Sequence, residues 1–572
     1  MTTAIEEGTW WGSDAIVDTL HAVGIDFVAL NPGSSFRGLH DSLVNPPSGS
    51  GPRILLCLHE EHAVAIAHGY AKVTGKPMGV ALHSNVGLMH ATMALFNAYC
   101  DRVPMVVLGA QGPMAADARR PWIDWLHTTA DLGALVRPYV KWDDAPMSVS
   151  ASTESVTRAW QLTSSPPHAP TYVCFDALVQ EERIEPPAPV DIERYGPFPA
   201  PGVTPEISDR VARLLSDARS PVILAGRVGR DHDAWQRRVE LAERLGARVI
   251  TSLRAGAAFP TSHPAHVGTV TGLGMSEPAA QALREADAVL ALEWVDLGGT
   301  LAMAYGSAAV GATVVAVTLE QQLLSGWTKL DFSLAPIDVK VPSTPDVLVE
   351  AVLRRIGVDA RPAPTSDSPN DVATVPPAAP TGEELTVADI QRELWEATHG
   401  RATSLLRVPF AWQPSLWPME TALDQLGGDG GGGIGSGPGM CVGGALALRG
   451  TDRLPVGILG DGDFLMGSSA VWTAAESNIP LLLIVANNRS FLNDERHQQI
   501  MARERGRPVE HAHVGIATAQ PAPDLAGVAR SLGWVGHGPV CSVEALREAL
   551  SLAVEAVAGG QRVLVDVHVA KE

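Results

Sequence analysis

Cysteine is scarce and dispersed in this 572-residue chain. The five residues, Cys57, Cys100, Cys174, Cys441 and Cys541, form no CxxC pair and no metal-ligand spacing. That argues against a disulfide framework and fits a reducing cytoplasm. Positive charge is also short. Lys and Arg number 42 against 63 Asp and Glu, a formal net charge of −21, so nucleic acid is not an expected partner. Long apolar runs are missing: those present are broken by Gly, Pro or charge, and neither a transmembrane helix nor a membrane partner is expected. The opening MTTAIEEGTWW is acidic and has no apolar core. No signal peptide is therefore predicted, and the expected location is cytoplasmic. Aromatic residues make up only 5%, yet the apolar content of 46% is that of a globular protein. The length is too great for one core, and three or four domains are expected.

What is present alternates strand with helix. Predicted strands run over 25–30, 54–59, 78–84 and 104–111, with helices over 13–23, about 61–75 and 88–99. A second set of strands falls at 220–226, 247–252, 287–294 and 313–319, and a third at 454–460, 481–486 and 563–569. Such alternation predicts parallel sheets covered on both faces, and ligands then gather at the carboxyl ends of the strands. Ser34, Glu60, His83 and Gln111 all stand at such ends.

The stretch from Gly460 to Asn488 reads as strand, loop, helix, strand. Asp461 and Asn488 end its two strands, so a carboxylate and an amide carbonyl can share one crevice. Hard oxygens of this kind suit Mg²⁺, which keeps phosphate oxygens in its shell. Gly460 and Gly462 flank Asp461 and let backbone approach a phosphate.

With Asn488 lying 27 residues after Asp461 and the segment ending in NN, this stretch resembles the diphosphate motif of thiamine diphosphate (ThDP) enzymes. The resemblance implies Mg²⁺ held by Asp461, Asn488 and the backbone carbonyl of Ser490. A second motif, HEEHAVAIAHGYAKVTGKP, resembles the segment carrying the cofactor-activating glutamate. It assigns Glu60, nine residues before Gly69-Tyr70-Ala71, rather than the adjacent Glu61. The implied fold is α/β, with three doubly wound parallel-sheet domains: pyrimidine-binding over 1–184, a middle Rossmann-like domain over 206–357, a Pro/Ala-rich linker over 358–384, and diphosphate-binding over 385–572.

Within the family, the chain resembles the benzoylformate decarboxylase and acetolactate synthase-like branch. NPGS (31–34) matches a substrate-contacting turn and assigns Ser34; LHS (82–84) assigns His83 as an active-site histidine. Counting back from RPYVKW (137–142) puts His127 at the second place of a His-His pair whose first place holds Leu126. In the Gly-dense run 427–439, Ile434 fits the aliphatic that props ThDP in its bent form, with Gly435 beside it against the cofactor. Asp463, where a small residue is usual, is expected to add a carboxylate near the diphosphate, and Arg489 stands where Gly is common. The charged helix beyond it is either a solvated face or a lid offering Asn493, His497 or an arginine to the substrate pocket. The middle domain shows only a bare GxxG at 226–229 and no histidine in LEWVDLGGT (292–300), and FAD is not predicted.

The implied activity is ThDP- and Mg²⁺-dependent decarboxylation or carboligation of a 2-oxo acid through a C2-carbanion and enamine, with an aldehyde or ketone as acceptor. The alternatives are an FAD-containing acetolactate-synthase-type enzyme and a ThDP-binding subunit without turnover. In the family the pyrimidine and diphosphate domains of one site come from different subunits, so at least a homodimer is expected, with a homotetramer as the full assembly.

Overall fold

A computed structural model describes residues 9–188, 191–272, 274–323, 334–359, 361 and 384–571. Most of the linker expected at 358–384 lies outside the described residues. The first sheet contains β1 (Phe27–Leu30), β2 (Arg53–Leu56), β3 (Met78–His83), β4 (Met105–Gln111), β5 (Trp142–Asp144) and β6 (Thr171–Asp176), in the order β2-β1-β3-β4-β6-β5. The middle sheet holds β7 (Pro221–Ala225), β8 (Arg248–Ser252), β9 (His266–Val270), β10 (Ala288–Leu292), β11 (Thr313–Val317) and β12 (Val339–Val341), ordered β9-β8-β7-β10-β11-β12. The third is β13-β14-β15-β17-β16, from β13 (Thr403–Arg407), β14 (Leu454–Gly460), β15 (Leu481–Asn487), β16 (Val535–Val540) and β17 (Arg562–His568). Every pairing within these three sheets is parallel.

β15 shows why the strands read as unbroken apolar runs. Leu481, Leu483 and Val485 enter one core, while Leu482 and Ile484 enter another on the opposite face. Both faces are covered, so there is no polar alternation to see. Strands absent from the sequence analysis (β5, β6, β9, β12, β13 and β16) are, with the exception of β6, edge strands. The edges β5, β9, β12 and β16 are partly exposed and their apolar signal is correspondingly weak, whereas β13 is short but almost wholly buried. The first helix (Gly12–Ala22) starts one residue before the predicted 13, with Trp11 at the cap position, and Ser13 inside it bonds the Ser42 hydroxyl.

The first and third domains share a core. Ala63, Ile66 and Tyr70 of α1 (Glu60–Thr74) pack with Val442 and Ala445 of α4 (Gly437–Ala447), with α2 (Ser84–Cys100) and α3 (Ile123–His127) between them in sequence. The α1 and α4 backbones nearly touch: a Cβ on Gly69 would lie 2.0 Å from the Met440 carbonyl oxygen, and one on Gly443 would lie 1.9 Å from that of Ile66. Only glycine permits that approach, which sets the start of α1 beside the Gly-dense loop leading into α4.

Candidate active site

β14 and β15 pair in register up to Gly460 opposite Ala486, so Asp461 and Asn488 emerge side by side from adjacent strands. Asp461 opens α5 (Asp461–Gly467) and is 3% exposed. Burial pushes its carboxyl up from the usual range; the Thr518 hydroxyl, donating at 3.1 Å, and the backbone N–H groups of Asp461, Gly462 and Ser490 oppose that. Asn488 Oδ1 accepts the Ser490 N–H at 3.0 Å, closing a tight turn at its apex residue Arg489, which holds φ of +59°. The Ser490 hydroxyl donates to Glu495 at 2.5 Å, and Lys571 bonds the same carboxylate at 2.6 Å. The first turn of α6 (Leu492–Glu504) is thereby tied to the floor of the site. A carboxylate, an amide oxygen and a nearby carbonyl form an all-oxygen donor set suited to Mg²⁺. The space before Gly460 is open, with nothing within 4 Å of where a Cβ would stand. These residues fit a metal-bound diphosphate.

Asp463 does not face that space. Its Oδ1 accepts the N–H groups of Gly435 at 2.7 Å and Gly437 at 3.2 Å. Its Oδ2 lies 3.6 Å from Arg407, which also bonds Asp429 at 2.7 Å. The expected extra charge beside the diphosphate is instead spent within the Gly-dense loop, where a buried arginine neutralises it. The loop so held presents Ile434, 37% exposed, between two bonded backbone groups.

In the first sheet the chain reverses direction across the sheet between neighbouring β1 and β3, a switch point where such folds bind ligands. The turn after β1 and His83 at the end of β3 meet there. A Cβ on Gly33 would overlap the His83 ring, so the turn accepts the imidazole only because residue 33 is glycine. Ser34 is exposed; Ser35 is the buried serine whose hydroxyl lies 2.9 Å from His83 Nδ1. The Ser35 N–H also points at that nitrogen, at 3.4 Å, so Nδ1 accepts and Nε2 keeps the proton. His127 packs edge to face on His83, ring centroids 4.6 Å apart. Burial holds His83 below its ordinary value, with His127 adding to the effect and Glu60 opposing it. His83 is thus a neutral imidazole with an Nε2–H donor. The two histidines come together although α3 is far from β3 in sequence, because the Ser84 hydroxyl binds the His127 carbonyl at 2.7 Å.

Glu60 is the first residue of α1 and is 6% exposed. His90 Nδ1 donates to its Oε2 at 3.0 Å. His59 caps the helix, its Nδ1 accepting the Glu61 N–H at 3.2 Å. His62, driven down to about 4 by burial, meets Ser469 of the third domain at 3.1 Å, so the start of α1 stands against the segment following α5. The sequence analysis passed over Ser35, His90, Arg407 and Thr518. Arg407 ends β13, a strand not predicted from the sequence, so the strand-end rule that selected Ser34 and His83 did not reach it.

At the carboxyl ends of the middle sheet, Arg227 bonds Glu320 at 2.5 Å and approaches Glu293 at 3.4 Å. Arg102 of the first domain pairs with the same Glu320. Burial raises the Glu293 carboxyl to about 7. Ion pairs of the first and middle domains occupy this crevice, with Arg227 Nε left without a hydrogen bond.

Known proteins resemble this chain in sequence and in architecture. The N-terminal TPP-binding, central and C-terminal TPP-binding domain models of thiamine pyrophosphate enzymes match residues 10–132, 208–294 and 411–567, more than half of the chain together. Benzoylformate decarboxylase of Pseudomonas aeruginosa is 27% identical over 488 residues, 80% of this chain and 84% of that protein. An acetolactate synthase of Arthrospira platensis is 28% identical over 290 residues, covering 49% and 48%. Among solved structures, the thiamine diphosphate-dependent 4-hydroxybenzoylformate decarboxylase of Rhodococcus jostii superimposes with a TM-score of 0.77 at 22% identity, covering 98% and 99%, which speaks for the fold. With three matched domains in family order, the chain belongs to the thiamine diphosphate-dependent enzymes, in the branch of decarboxylases and acetolactate synthase-like carboligases.

Proposed function

We propose that this protein decarboxylates a 2-oxo acid with ThDP and Mg²⁺, and can pass the resulting acyl unit to an aldehyde or ketone. The observation that carries this is the in-register pairing of β14 and β15, which sets Asp461 beside Asn488. Bound ThDP supplies a nucleophilic thiazolium carbon and an electron sink for the carboxylate's electrons. Asp461, Asn488 and the Ser490 carbonyl hold Mg²⁺ against the diphosphate, flanked by Gly460 and Gly462. Glu60 faces the pyrimidine, and Ile434 with Gly435 supports the cofactor's bend. His83, whose Nε2 carries a proton, would hold and supply protons at the substrate, with the His127 ring packed against it. Ser34 and Ser35 border the substrate side of His83.

The Arg102, Arg227, Glu293 and Glu320 side chains, paired across the carboxyl ends of the middle sheet, support a middle domain without flavin. Met89, Met93, Trp122, Trp125, Ile434 and Met466 are large apolar side chains left exposed on the isolated chain. They support burial against a second copy, and at least a homodimer, extending to a homotetramer, is the assembly proposed. No helix among the described residues is long and apolar enough to cross a membrane. The cysteines, none of them in a disulfide, fit a cytoplasmic location.

The test is CO₂ release from a panel of 2-oxo acids, with benzoylformate first because the Pseudomonas relative is named for it. Turnover of one aryl or alkyl 2-oxo acid that requires both ThDP and Mg²⁺ is expected. Binding of ThDP without turnover of any panel member, with or without an aldehyde, would favour the subunit without activity.

A further inference from the structure

We propose that His90 is a positioning residue for Glu60: it holds one carboxylate oxygen so that the other is presented to the cofactor. The proposal rests on the reading that Glu60 faces the ThDP pyrimidine. Both members of the contact come from rigid elements. Glu60 begins α1, and His90 lies in the second turn of α2.

Two α2 residues, three apart and therefore on one helix face, define where the carboxylate sits. His90 Nδ1 donates to Oε2 at 3.0 Å. Gly87, one turn earlier, leaves the space: a Cβ there would stand 3.0 Å from Glu60 Cγ and 3.1 Å from Oε1. The remaining oxygen, Oε1, carries no hydrogen bond from a described side chain. The His90 ring is itself oriented, stacked on His59 with centroids 4.9 Å apart and planes 20° from parallel. His59 Nδ1 accepts the Glu61 N–H at the helix cap, which holds that ring in place beneath His90. Glu60 is almost wholly buried while the His90 side chain is half exposed. The bond thus joins a shielded carboxylate to a ring that can reorganise its own solvation.

A donor on one oxygen stabilises the ionised carboxylate and removes the freedom of the group to rotate. Loss of that donor should make the cofactor site as a whole surrender its proton less readily. Other titratable groups face the pair: His59, His62 and Glu61 from α1, His83 and His127 from the switch point, and Asp463 within reach of Glu61. All of them are unchanged among the variants compared below.

The experiment titrates the near-ultraviolet circular dichroism of bound ThDP against pH, without substrate, and measures ThDP affinity by calorimetry. His90→Asn keeps an N–H donor close to the position of Nδ1, and His90→Leu removes it. His90→Leu is expected to move the midpoint of the cofactor's tautomer signal toward alkaline pH by about half to one unit. It should also weaken ThDP binding several-fold. His90→Asn should stay near wild type in both. A wild-type midpoint in His90→Leu, or the same shift in His90→Asn as in His90→Leu, overturns the proposal. Should His90→Leu lose its cooperative melting transition, His90→Ala makes the same comparison. Glu60→Gln separates the two layers of the argument. If it leaves the signal as in wild type, the reading of Glu60 falls; if it abolishes the titration while His90→Leu does nothing, only the role of His90 falls.

Discussion

The Asp463 carboxylate accepts the Gly435 N–H at 2.7 Å, so the residue that stands after GDG in place of the usual small one is a clamp on the loop presenting Ile434. Arg407 makes this burial of charge tolerable from one side, and the Gly437 N–H shares the load from the other. Asp463→Ser should release the loop and leave Arg407 with Asp429 alone. Hydrogen bonds to a charged group contribute about 1.5–3 kcal/mol each way, so ThDP affinity should fall about tenfold or more. The Mg²⁺ concentration needed for half-saturation should stay nearly fixed once ThDP is saturating. A variant with a markedly lower Mg²⁺ requirement would return Asp463 to the diphosphate, where its sequence position alone suggested it.

That outcome shows where sequence reading reached and where it stopped. Asp461, Asn488 and Glu60 were legible because their spacing is tied to strand ends, and strand ends are visible as the limits of apolar runs. Whether a carboxylate at position 463 points to ligand or loop depends on Arg407, 56 residues earlier in the chain. No local pattern encodes that pairing. The same limit separates Ser34 from Ser35: adjacent serines in one turn differ in outcome through the 3₁₀ geometry of residues 34–36. His83 with His127 was partly legible, each from its own motif, but their ring contact needed the fold. The edge strands β5, β9, β12 and β16 were lost for a simpler reason, since their side chains are partly exposed and leave no continuous apolar run.

His83 and His127 act on protons in this account, and Ser35 fixes the tautomer of His83. His83→Ala should slow aldehyde release by about 100-fold, within the range removed with a general acid. It should raise the share of carboligation product when an acceptor aldehyde is present. Ser35→Ala should show the same direction with a smaller loss, because the backbone N–H of residue 35 still reaches Nδ1. Product ratios measured by chromatography decide it. Unchanged rates and ratios in both variants would make the pair structural.

Arg489 occupies a left-handed conformation, φ +59°, next to the proposed metal ligands. A side chain with a Cβ is strained there by about 1 kcal/mol, which glycine avoids. Its ion pair is with Glu384 at 3.8 Å, too long and exposed to repay much. Arg489→Gly is therefore expected to raise the melting temperature of the apoprotein by a degree or two. A lowered melting temperature would mean that the arginine makes a contact more valuable than the strain.

His266, buried in the middle domain with its Nε2 3.0 Å from the Thr251 hydroxyl, gives a pH test remote from the active site. Burial drives this imidazole down to about 4. In the unfolded chain it titrates near 6.5. Below that pH the unfolded chain takes up a proton that the folded chain refuses, so stability falls with pH between about 6.5 and 4 and is flat above. The largest loss attributable to this group is about 3 kcal/mol. His266→Gln should flatten the dependence of denaturation midpoint on pH in that window. A variant whose slope matches wild type would place the acid sensitivity elsewhere.

The central claim is that Asp461 and Asn488 hold the metal through which the cofactor is bound. Titration calorimetry of ThDP into the apoprotein, with and without Mg²⁺, tests it without relying on a known substrate. The wild-type chain is expected to bind ThDP only with Mg²⁺ present. Asp461→Ala should lose at least about 100-fold in affinity, or roughly 2.7 kcal/mol, while keeping its melting transition. An Asp461→Ala protein that binds ThDP with wild-type affinity and the same Mg²⁺ dependence would contradict the account.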